Sequence, residues 1–575
     1  MLSVKRWILS SPDDKQVEVL RQQLGIHPIH CRLLVSRGIT TFEEARHFFR
    51  PSLEHLHDPF GMKDMDKAVD RILSAIESGE KILVFGDYDV DGTTAVSLVY
   101  SFLSDFYPNI GTYIPDRYKE GYGISTAGID FAADNGFDLI IALDCGIKSV
   151  DKVAYANQKG IDFIICDHHL PGEELPAAVA VLDPKRPDCA YPFKELSGCG
   201  IGFKLMQALS AKMGVNPDKA FDLLDLVTIS IASDLVPITG ENRVLAYFGL
   251  KKINQEPRPG LKALMAKAGL MLEQTDGSYI YKKPIEINDL VFVIGPRINA
   301  AGRMEHGSNA VELLTETEES SAFEKAQKLQ ENNSDRVDVD RSITDEALEM
   351  MRTDSRYESR KSTVLFNKDW HKGVIGIVAS RVIEKFYRPT VILTASNGLA
   401  VGSARSIAGF DLYDAIDSCR EHLVQFGGHM YAAGLTMELD KVEAFTLKFE
   451  EIVSSRVTEE MMTPMIAIDA EIELSDVNEN FLNIFEQMAP FGPGNMRPVF
   501  VTRGVFNPGG CRIVKEQHLK IEISKSGQGY KRGIGFGMAH LFEIVEKPTF
   551  DICYQIYNNE WNGRKQVEIQ VKDIQ

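Results

Sequence analysis

The chain has 575 residues, 44% of them hydrophobic, and a formal net charge of −19 at pH 7. That length exceeds one ordinary core and predicts two to four domains, each with enough apolar residue to bury its own. The acidic excess excludes a protein that coats nucleic acid by bulk electrostatics, so a nucleic acid has to enter a locally basic groove.

No run approaches the roughly 18 apolar residues of a membrane span, and the opening MLSVKRWILSSPDDK has its apolar patch broken by Ser, Pro and Asp. A cytoplasmic protein without membrane contact is expected. The eight cysteines form no CxxC pair, and Cys145 and Cys166 end apolar runs as buried thiols do, so neither a disulfide framework nor a cysteine zinc site is expected.

Residues 1–60 read as short helices, with PSLEHLHDPFGM as a loop before the first strong pattern. KILVFG, DLIIALD and IDFIIC are apolar runs of strand length, and AVSLVYSFL and SVDKVAYANQKG are helical stretches between them. Strand, helix, strand in sequence predicts a parallel sheet. FDLLDLVTISIASDLVP fits a buried helix or a strand, its length favouring a helix ended near Pro237. Residues 316–360 turn polar and read as a long solvated helical connector. A second α/β block runs from STVLFN to GLTMEL. From residue 465 to 575, IAIDAEIEL, PVFVTRGVF, HLKIEIS and KQVEIQVKD alternate between turns and predict a barrel of about five strands.

The stretch LVFGDYDVDGTTA places Asp87, Asp89 and Asp91 at alternate positions after an apolar run. A calcium loop of the EF-hand type needs an acidic residue at its twelfth position, which from Asp87 is Leu98, and a helix in front rather than KILVFG. If strand geometry continues past Phe85, Asp89 and Asp91 face one site. The alternative is an acidic turn capping the next helix, with Asp91 or Thr93 as the cap. Asp144 ends the second apolar run, and Asp167, His168 and His169 end the third. Ligands bind outside the carboxyl ends of parallel strands, so these side chains are expected to converge. Carboxylates with an imidazole make an oxygen-rich cage suited to Mn²⁺ or Mg²⁺. Two divalent ions about 4 Å apart would offset four or five carboxylates and serve phosphoester cleavage.

GDYDVDG, LDCG, CDHH and ASDLVP resemble, in order and spacing, the DHH phosphoesterase superfamily. GPRINAAGR, WHKGVIGIVASR, GSARS and GGHMYAAG look like the companion DHHA1 substrate-binding domain of its RecJ branch, and the resemblance runs from about residue 60 to the end. It implies that Asp89 and Asp144 hold one metal and that Asp91, Asp144, His168 and Asp234 hold the other, Asp144 bridging. Asp87 would bind directly or through water. His169 would touch the scissile phosphate or orient the water, and Asp167 would support a histidine. Relatives with a histidine at the start of the first motif differ from this chain, which has Phe85 there.

Arginine with glycine turns makes a phosphate pocket, so Ser403, Arg405, Gly427, Gly428 and His429, joined by Arg297, Asn299 and Arg303, are candidates for it. By resemblance the pocket holds a 5′-terminal phosphate. Arg117 and Tyr122 in PDRYKEGYG could grip phosphate and stack a base, although an ordinary turn fits as well. The nuclease and pocket-bearing domains are expected to face each other across a cleft too narrow for a duplex. The last domain looks like an oligonucleotide-binding (OB) fold with Lys515, His518, Lys520, Lys531 and Arg532 as groove candidates, and MAPFGPGNMRP is expected to pack it against the core.

The fold class expected is therefore multidomain α/β. It comprises an N-terminal helical segment (1–60), a parallel-sheet DHH catalytic domain (61–315), the connector (316–360), a smaller DHHA1-type domain (361–455) and an OB-like β-barrel (465–575). The resemblance implies a 5′-to-3′ exonuclease on single-stranded DNA, in repair and recombination beside a helicase and a single-strand-binding protein, and a monomer is expected. A phosphodiesterase for short oligonucleotides or dinucleotides and a non-catalytic replication scaffold are the competing readings. An extended barrel speaks against the first, and the retained carboxylates speak against the second.

Overall fold

The apolar runs that read as strands form them, and their side chains alternate between two buried faces. In the computed structural model, which describes residues 5–561 and 564–575, Ile82, Val84, Leu139, Ile141 and Leu143 enter one apolar cluster. Leu83, Phe85, Ile140 and Ala142 enter another on the opposite face. A sheet buried on both sides has to be continuous in hydrophobicity, which is why these runs do not alternate. Two short strands, Ile110–Tyr113 and Ala180–Leu182, were not legible as strands because they are only four and three residues long.

All the pairings in this five-stranded sheet are parallel, and its spatial order is Ile110–Tyr113, Ile82–Gly86, Leu139–Leu143, Asp162–Cys166, Ala180–Leu182. Numbered along the chain, that is the doubly wound order 2-1-3-4-5, whose topological switch point lies between the first and third strands. Asp87 follows the first and Asp144 the third. The ambiguous FDLLDLVTISIASDLVP is a helix, Leu224–Ser233, packed in the larger cluster.

The chain forms two compact units, one from residues 9–332 with 468–575 and the other from 1–8 with 333–467. In the first, helices Asp14–Leu24, Pro28–Ser36 and Phe42–Phe49 share one core with the C-terminal sheet, Leu20, Leu33 and Leu34 joining Phe481, Phe500 and Ile521. That sheet has seven strands rather than about five, because short strands Ala470–Glu471 and Arg512–Val514 flank the longer ones at its two edges. The N-terminal segment is also not wholly helical: Arg6–Leu9 is a strand paired with Met465–Ile468. The segment 488–498 packs as expected, Arg243 donating to the carbonyls of Met488 and Ala489 and Asn495 donating to those of Met488 and Pro490.

The connector is a single helix, Glu319–Thr353, but it is not a solvated rod. Ala322, Ala326 and Leu329 are buried in the first unit's core, and Ile343, Ala347 and Met351 in that of the second. Their spacing of three or four residues is an apolar stripe that the surrounding charge conceals in the sequence.

The second unit centres on a mixed five-stranded sheet ordered Gln425–His429, Ala432–Glu438, Leu399–Arg405, Thr390–Ser396, Thr363–Phe366. Helix Ile375–Lys385 covers one face through Val378 and Val382, and helix Val442–Arg456 covers the other through Phe445, Phe449 and Val453. Among the described residues, no helix is long and apolar enough to cross a membrane.

Candidate metal centre and phosphate-binding surface

The acidic run is arranged by a turn and a helix, not by strand alternation, because the first strand stops at Gly86. Asp89 is the N-cap of helix Val90–Ser104, its carboxylate accepting from the Gly92 N–H at 3.0 Å, and Asp91 lies in the first turn. The cap expected at Asp91 or Thr93 is thus Asp89, and the two readings of this run, cap and acidic site, coexist. Asp87 is fully buried; its Oδ1 accepts from the Gly123 N–H at 3.1 Å, while its Oδ2 has no hydrogen-bond partner. A Cβ at Gly92 would fall 2.3 Å from the Asp87 carbonyl oxygen, so this turn closes only with glycine there.

Asp144 occupies the left-handed region at φ 58°, a conformation that costs a non-glycine residue energy and recurs at functional sites. Leu235, directly after Asp234, has the same φ. His168 Nε2 lies 3.2 Å from Asp144 Oδ1, 3.6 Å from Asp234 Oδ2 and 3.8 Å from Asp91 Oδ2. Asp144 Oδ1 takes no hydrogen bond. The structure therefore gathers Asp91, Asp144, His168 and Asp234 from four separate segments, with His169 grouped beside Asp144 and His168.

Burial, and then the neighbouring carboxylates, drive these acids up: Asp87 to about 8 beside Asp89, and Asp234 to about 8 beside Asp91 and Asp89. Asp89 and Asp144 are raised for the same two reasons, and burial lowers His168, favouring its neutral form. A neutral imidazole and several carboxylates pointing lone pairs at one another are accommodated by protons on the acids or by bound cations. Adjacent donors around an ion bound at about 2.1 Å sit roughly 3 Å apart, close to the shortest of the separations seen. The donor set fits a hard divalent ion.

Asp167 is almost fully buried and accepts from the Ile147 N–H at 2.8 Å, the His168 N–H at 2.8 Å and the His169 N–H at 3.1 Å. It also lies 2.7 Å from His169 Nδ1. Burial would raise this carboxyl, but these bonds hold it below its ordinary range. Burial likewise opposes charge on His169, yet the Asp167 bond raises its pKa, so the imidazolium is favoured. His169 Nε2 faces the Tyr122 hydroxyl at 3.2 Å, and that hydroxyl donates to the Asp144 carbonyl at 3.3 Å. Tyr122 is thus tied to the centre.

Arg117 stacks over the Tyr88 ring at 4.7 Å, and Tyr88 meets Tyr122 edge-on at 6.4 Å. Arg297, Asn299 and Arg303 lie on helix Gly295–Met304 in this same unit rather than in the second α/β block with which the sequence grouped them. Arg297 donates to Gln330 at 2.8 Å and to the Val293 carbonyl at 2.7 Å, and the Arg303 carbonyl accepts from the Tyr118 hydroxyl. The glycine in this motif serves packing: a Cβ at Gly302 would come 2.9 Å from the Tyr88 carbonyl oxygen.

In the second unit, strand register does the gathering. Ser403 pairs with Gly434, which pairs with Gly427; Arg405 pairs with Ala432, which pairs with His429. Two rows therefore cross three strands with only small residues between the functional ones. Arg405 donates to Ser403 Oγ at 3.0 Å, and a Cβ at Gly376 would lie 3.0 Å from its guanidinium. The first turn of helix Ile375–Lys385 thus stands over the pair, an arrangement suited to an anion. Gly427, Gly428 and His429 are exposed beside it. In the C-terminal sheet, Lys520 and Arg532 face outward, whereas Lys531 has the parity of buried Gly533 and Gly535, so the basic candidates do not share one groove.

Sequence reasoning missed the groups that anchor Asp91: the N–H groups of Gly198 and Cys199 at 2.7 and 2.8 Å and the Ser230 hydroxyl at 2.7 Å. The glycines of SGCGIG were a usable signal, since a Cβ at Gly198 would strike Asp144 Cβ at 2.6 Å. It also missed Tyr88, hidden between two aspartates.

A doubly wound sheet with this cluster at its switch point, followed by a mixed-sheet unit and a C-terminal β-sheet, defines the DHH class. Residues 81–231 match the DHH family, N-terminal domain, residues 360–455 the DHHA1 domain and residues 468–573 the RecJ OB domain. Within that class the chain belongs to the RecJ family of single-stranded-DNA-specific exonucleases. It is 37% identical to the Bacillus subtilis RecJ over 100% of its own length and 71% of that protein. It is 32% identical to the Salmonella typhimurium RecJ, over 95% of this chain and 96% of that one. The structure of Thermus thermophilus RecJ in complex with Mn²⁺ superposes with a TM-score of 0.83 at 25% identity, covering 99% of this chain and 79% of that one.

Proposed function

We propose that this chain removes mononucleotides from the 5′ end of single-stranded DNA by metal-dependent phosphodiester hydrolysis. The carrying observation is the convergence of Asp91, Asp144, Asp234 and His168 Nε2 at the switch point, with the buried groups of Asp91, Asp144 and His168 facing one another and Asp234 at the exposed rim. Membership of the RecJ family supports the substrate and direction, and the Mn²⁺ complex of the Thermus protein supports the ion class. Neither a dinucleotide phosphodiesterase nor a non-catalytic scaffold gains support.

Asp89 and Asp144 would hold one ion, and Asp91, Asp144, His168 and Asp234 the other, with Asp87 beside the first. Two Mn²⁺ or Mg²⁺ ions bound there supply Lewis-acid activation of water and offset charge on the reacting phosphate. The chain's own groups do the rest. Asp167 fixes His169 by its Nδ1 and favours the imidazolium, so Nε2 can donate to a phosphate oxygen as negative charge gathers on it. Tyr122 orients that ring from the other side. Arg117, Arg297, Asn299 and Arg303 would meet the DNA backbone around the centre. The Ser403, Arg405, Gly427, Gly428 and His429 surface would take the terminal phosphate.

The same reading places the protein in DNA repair and recombination in the cytoplasm, as a monomer working with a helicase and a single-strand-binding protein. The domain limits 1–60, 61–315, 316–360, 361–455 and 465–575 are proposed with it. The test is incubation of end-labelled 5′ and 3′ single strands, a duplex and a dinucleotide with Mn²⁺, Mg²⁺ or chelator. Ion-dependent release of the 5′-terminal nucleotide from single strands alone is expected. Release from 3′ ends, or turnover confined to the dinucleotide, would overturn the proposal.

A further inference from the structure

Two serine hydroxyls buried beneath the metal centre are hydrogen-bonded to each other, and one of them donates to Asp91. Ser230 is fully buried on helix Leu224–Ser233, with its Oγ 2.7 Å from Asp91 Oδ1 and 2.6 Å from Ser197 Oγ. A hydroxyl has one proton, so Ser230 shares it between Asp91 Oδ1 and Ser197 Oγ, both of which it faces as donor. Ser197 is the N-cap of helix Gly198–Met213 and accepts from the Gly200 N–H at 3.1 Å. Ser197 Oγ thus accepts from the Gly200 N–H and from Ser230, which also donates to Asp91.

Two further observations separate this arrangement from an ordinary buried serine. Hydroxyls inside helices commonly bond the carbonyl one turn back, as Thr228 does to Leu224 on this helix at 2.8 Å and Ser97 does to Thr93 at 2.7 Å. Ser230 instead turns its hydroxyl across to another element. Its carbonyl accepts the Asp234 N–H at 2.9 Å, so one residue fixes Asp91 through its side chain and Asp234 through its backbone. With the Gly198 and Cys199 N–H groups, Asp91 receives three bonds and keeps one defined orientation toward His168.

We propose that Ser230, backed by Ser197, is a positioning residue that orients Asp91, and with it Asp234, for divalent-ion binding. The inference rests on the metal role proposed for Asp91. Groups that orient metal ligands contribute about 10- to 100-fold to metal affinity. Removing the hydroxyl should therefore weaken ion binding without touching the DNA-binding surface.

The experiment is a Mn²⁺ titration of the full chain, read by calorimetry and by free Mn²⁺ paramagnetic resonance, with metal-free melting and single-strand binding in chelator measured alongside. Ser230→Ala should raise the Mn²⁺ dissociation constant about 10- to 100-fold while single-strand binding in chelator is retained. Ser230→Thr, which keeps the hydroxyl, should return affinity to within about threefold. If Ser230→Ala yields no folded protein, Ser230→Cys, close in size with a weak donor, carries the same test and should also bind Mn²⁺ more weakly. Parental Mn²⁺ affinity in the folded Ala or Cys variant would overturn the inference. Failure of the parent chain to bind Mn²⁺ at all would overturn the metal reading beneath it.

Discussion

Asp144 Oδ1 and His168 Nε2 lie 3.2 Å apart in a buried setting, and Asp144 Oδ1 takes no hydrogen bond. Burial disfavours the protonated imidazole that would turn the contact into an ion pair. A divalent cation shared by the two side chains would reconcile the pair. Asp144→Ala should therefore remove the shared acceptor and lower hydrolysis by about 10³-fold or more, the equivalent of roughly 4 kcal/mol of transition-state stabilisation. Single-strand binding should remain measurable by fluorescence anisotropy in chelator. Full turnover by a folded Asp144→Ala chain would refute the metal assignment.

The sequence showed the parts of this site more readily than the way they meet. Asp144 and His168 were legible because each ends a long apolar run, and a strand end in a parallel sheet is a place where ligands gather. Asp89 and Asp91 were assigned to the site by an alternation that the chain does not follow, since a helix starts at Val90. Ser230 was invisible: a serine inside LDLVTISIAS reads as helix interior, and only tertiary packing turns its hydroxyl to Asp91. The core shared by the N-terminal helices and the C-terminal sheet was hidden for a related reason, because Leu20 and Ile521 belong to one buried cluster although they are far apart in the chain, and local periodicity carries no such information.

Metal binding should strengthen with pH. In the metal-free chain Asp87 and Asp234 are held at about 8 by burial and adjacent carboxylates, against 3.8 for the ordinary group. A raised carboxyl pKa means that the folded form binds more protons than the unfolded between those values. Its stabilising contribution is full below about pH 4 and is lost as pH rises through about 8. Bound ions remove the need for those protons. The difference in melting temperature between Mn²⁺-loaded and chelator-treated protein should widen from about pH 5 to about pH 8. A constant or narrowing difference would contradict these shifts.

Arg405 is held by Ser403 beneath the first turn of helix Ile375–Lys385, and its burial lowers its pKa, so it gains when an anion is bound. Arg405→Ala should reduce the preference for a 5′-phosphorylated over a 5′-hydroxyl end by about 10- to 100-fold, the worth of a charge-assisted bond of roughly 1.5–3 kcal/mol. Cleavage from 5′-hydroxyl ends with saturating Mn²⁺ should suffer far less. Initial rates on the two end types measure this directly, and an unchanged ratio would place the terminal phosphate elsewhere.

Deleting the C-terminal sheet is a poor test of its role, because it would expose the apolar core that Leu20, Leu33 and Leu34 share with it. Surface substitution avoids that loss. Tyr530 and Phe536 are 57% and 55% exposed, with Arg532 over the Tyr530 ring at 5.1 Å and His518 edge-on to Phe536 at 5.5 Å. Exposed rings that can stack bases contribute about 1–3 kcal/mol each. Tyr530→Ala and Phe536→Ala should each weaken binding of a long single strand by about 5- to 150-fold while leaving the melting temperature and the cleavage of very short strands nearly unchanged. Equal losses on long and short substrates would instead assign these rings to the catalytic centre's own contacts, and no loss on either would remove them from the DNA path.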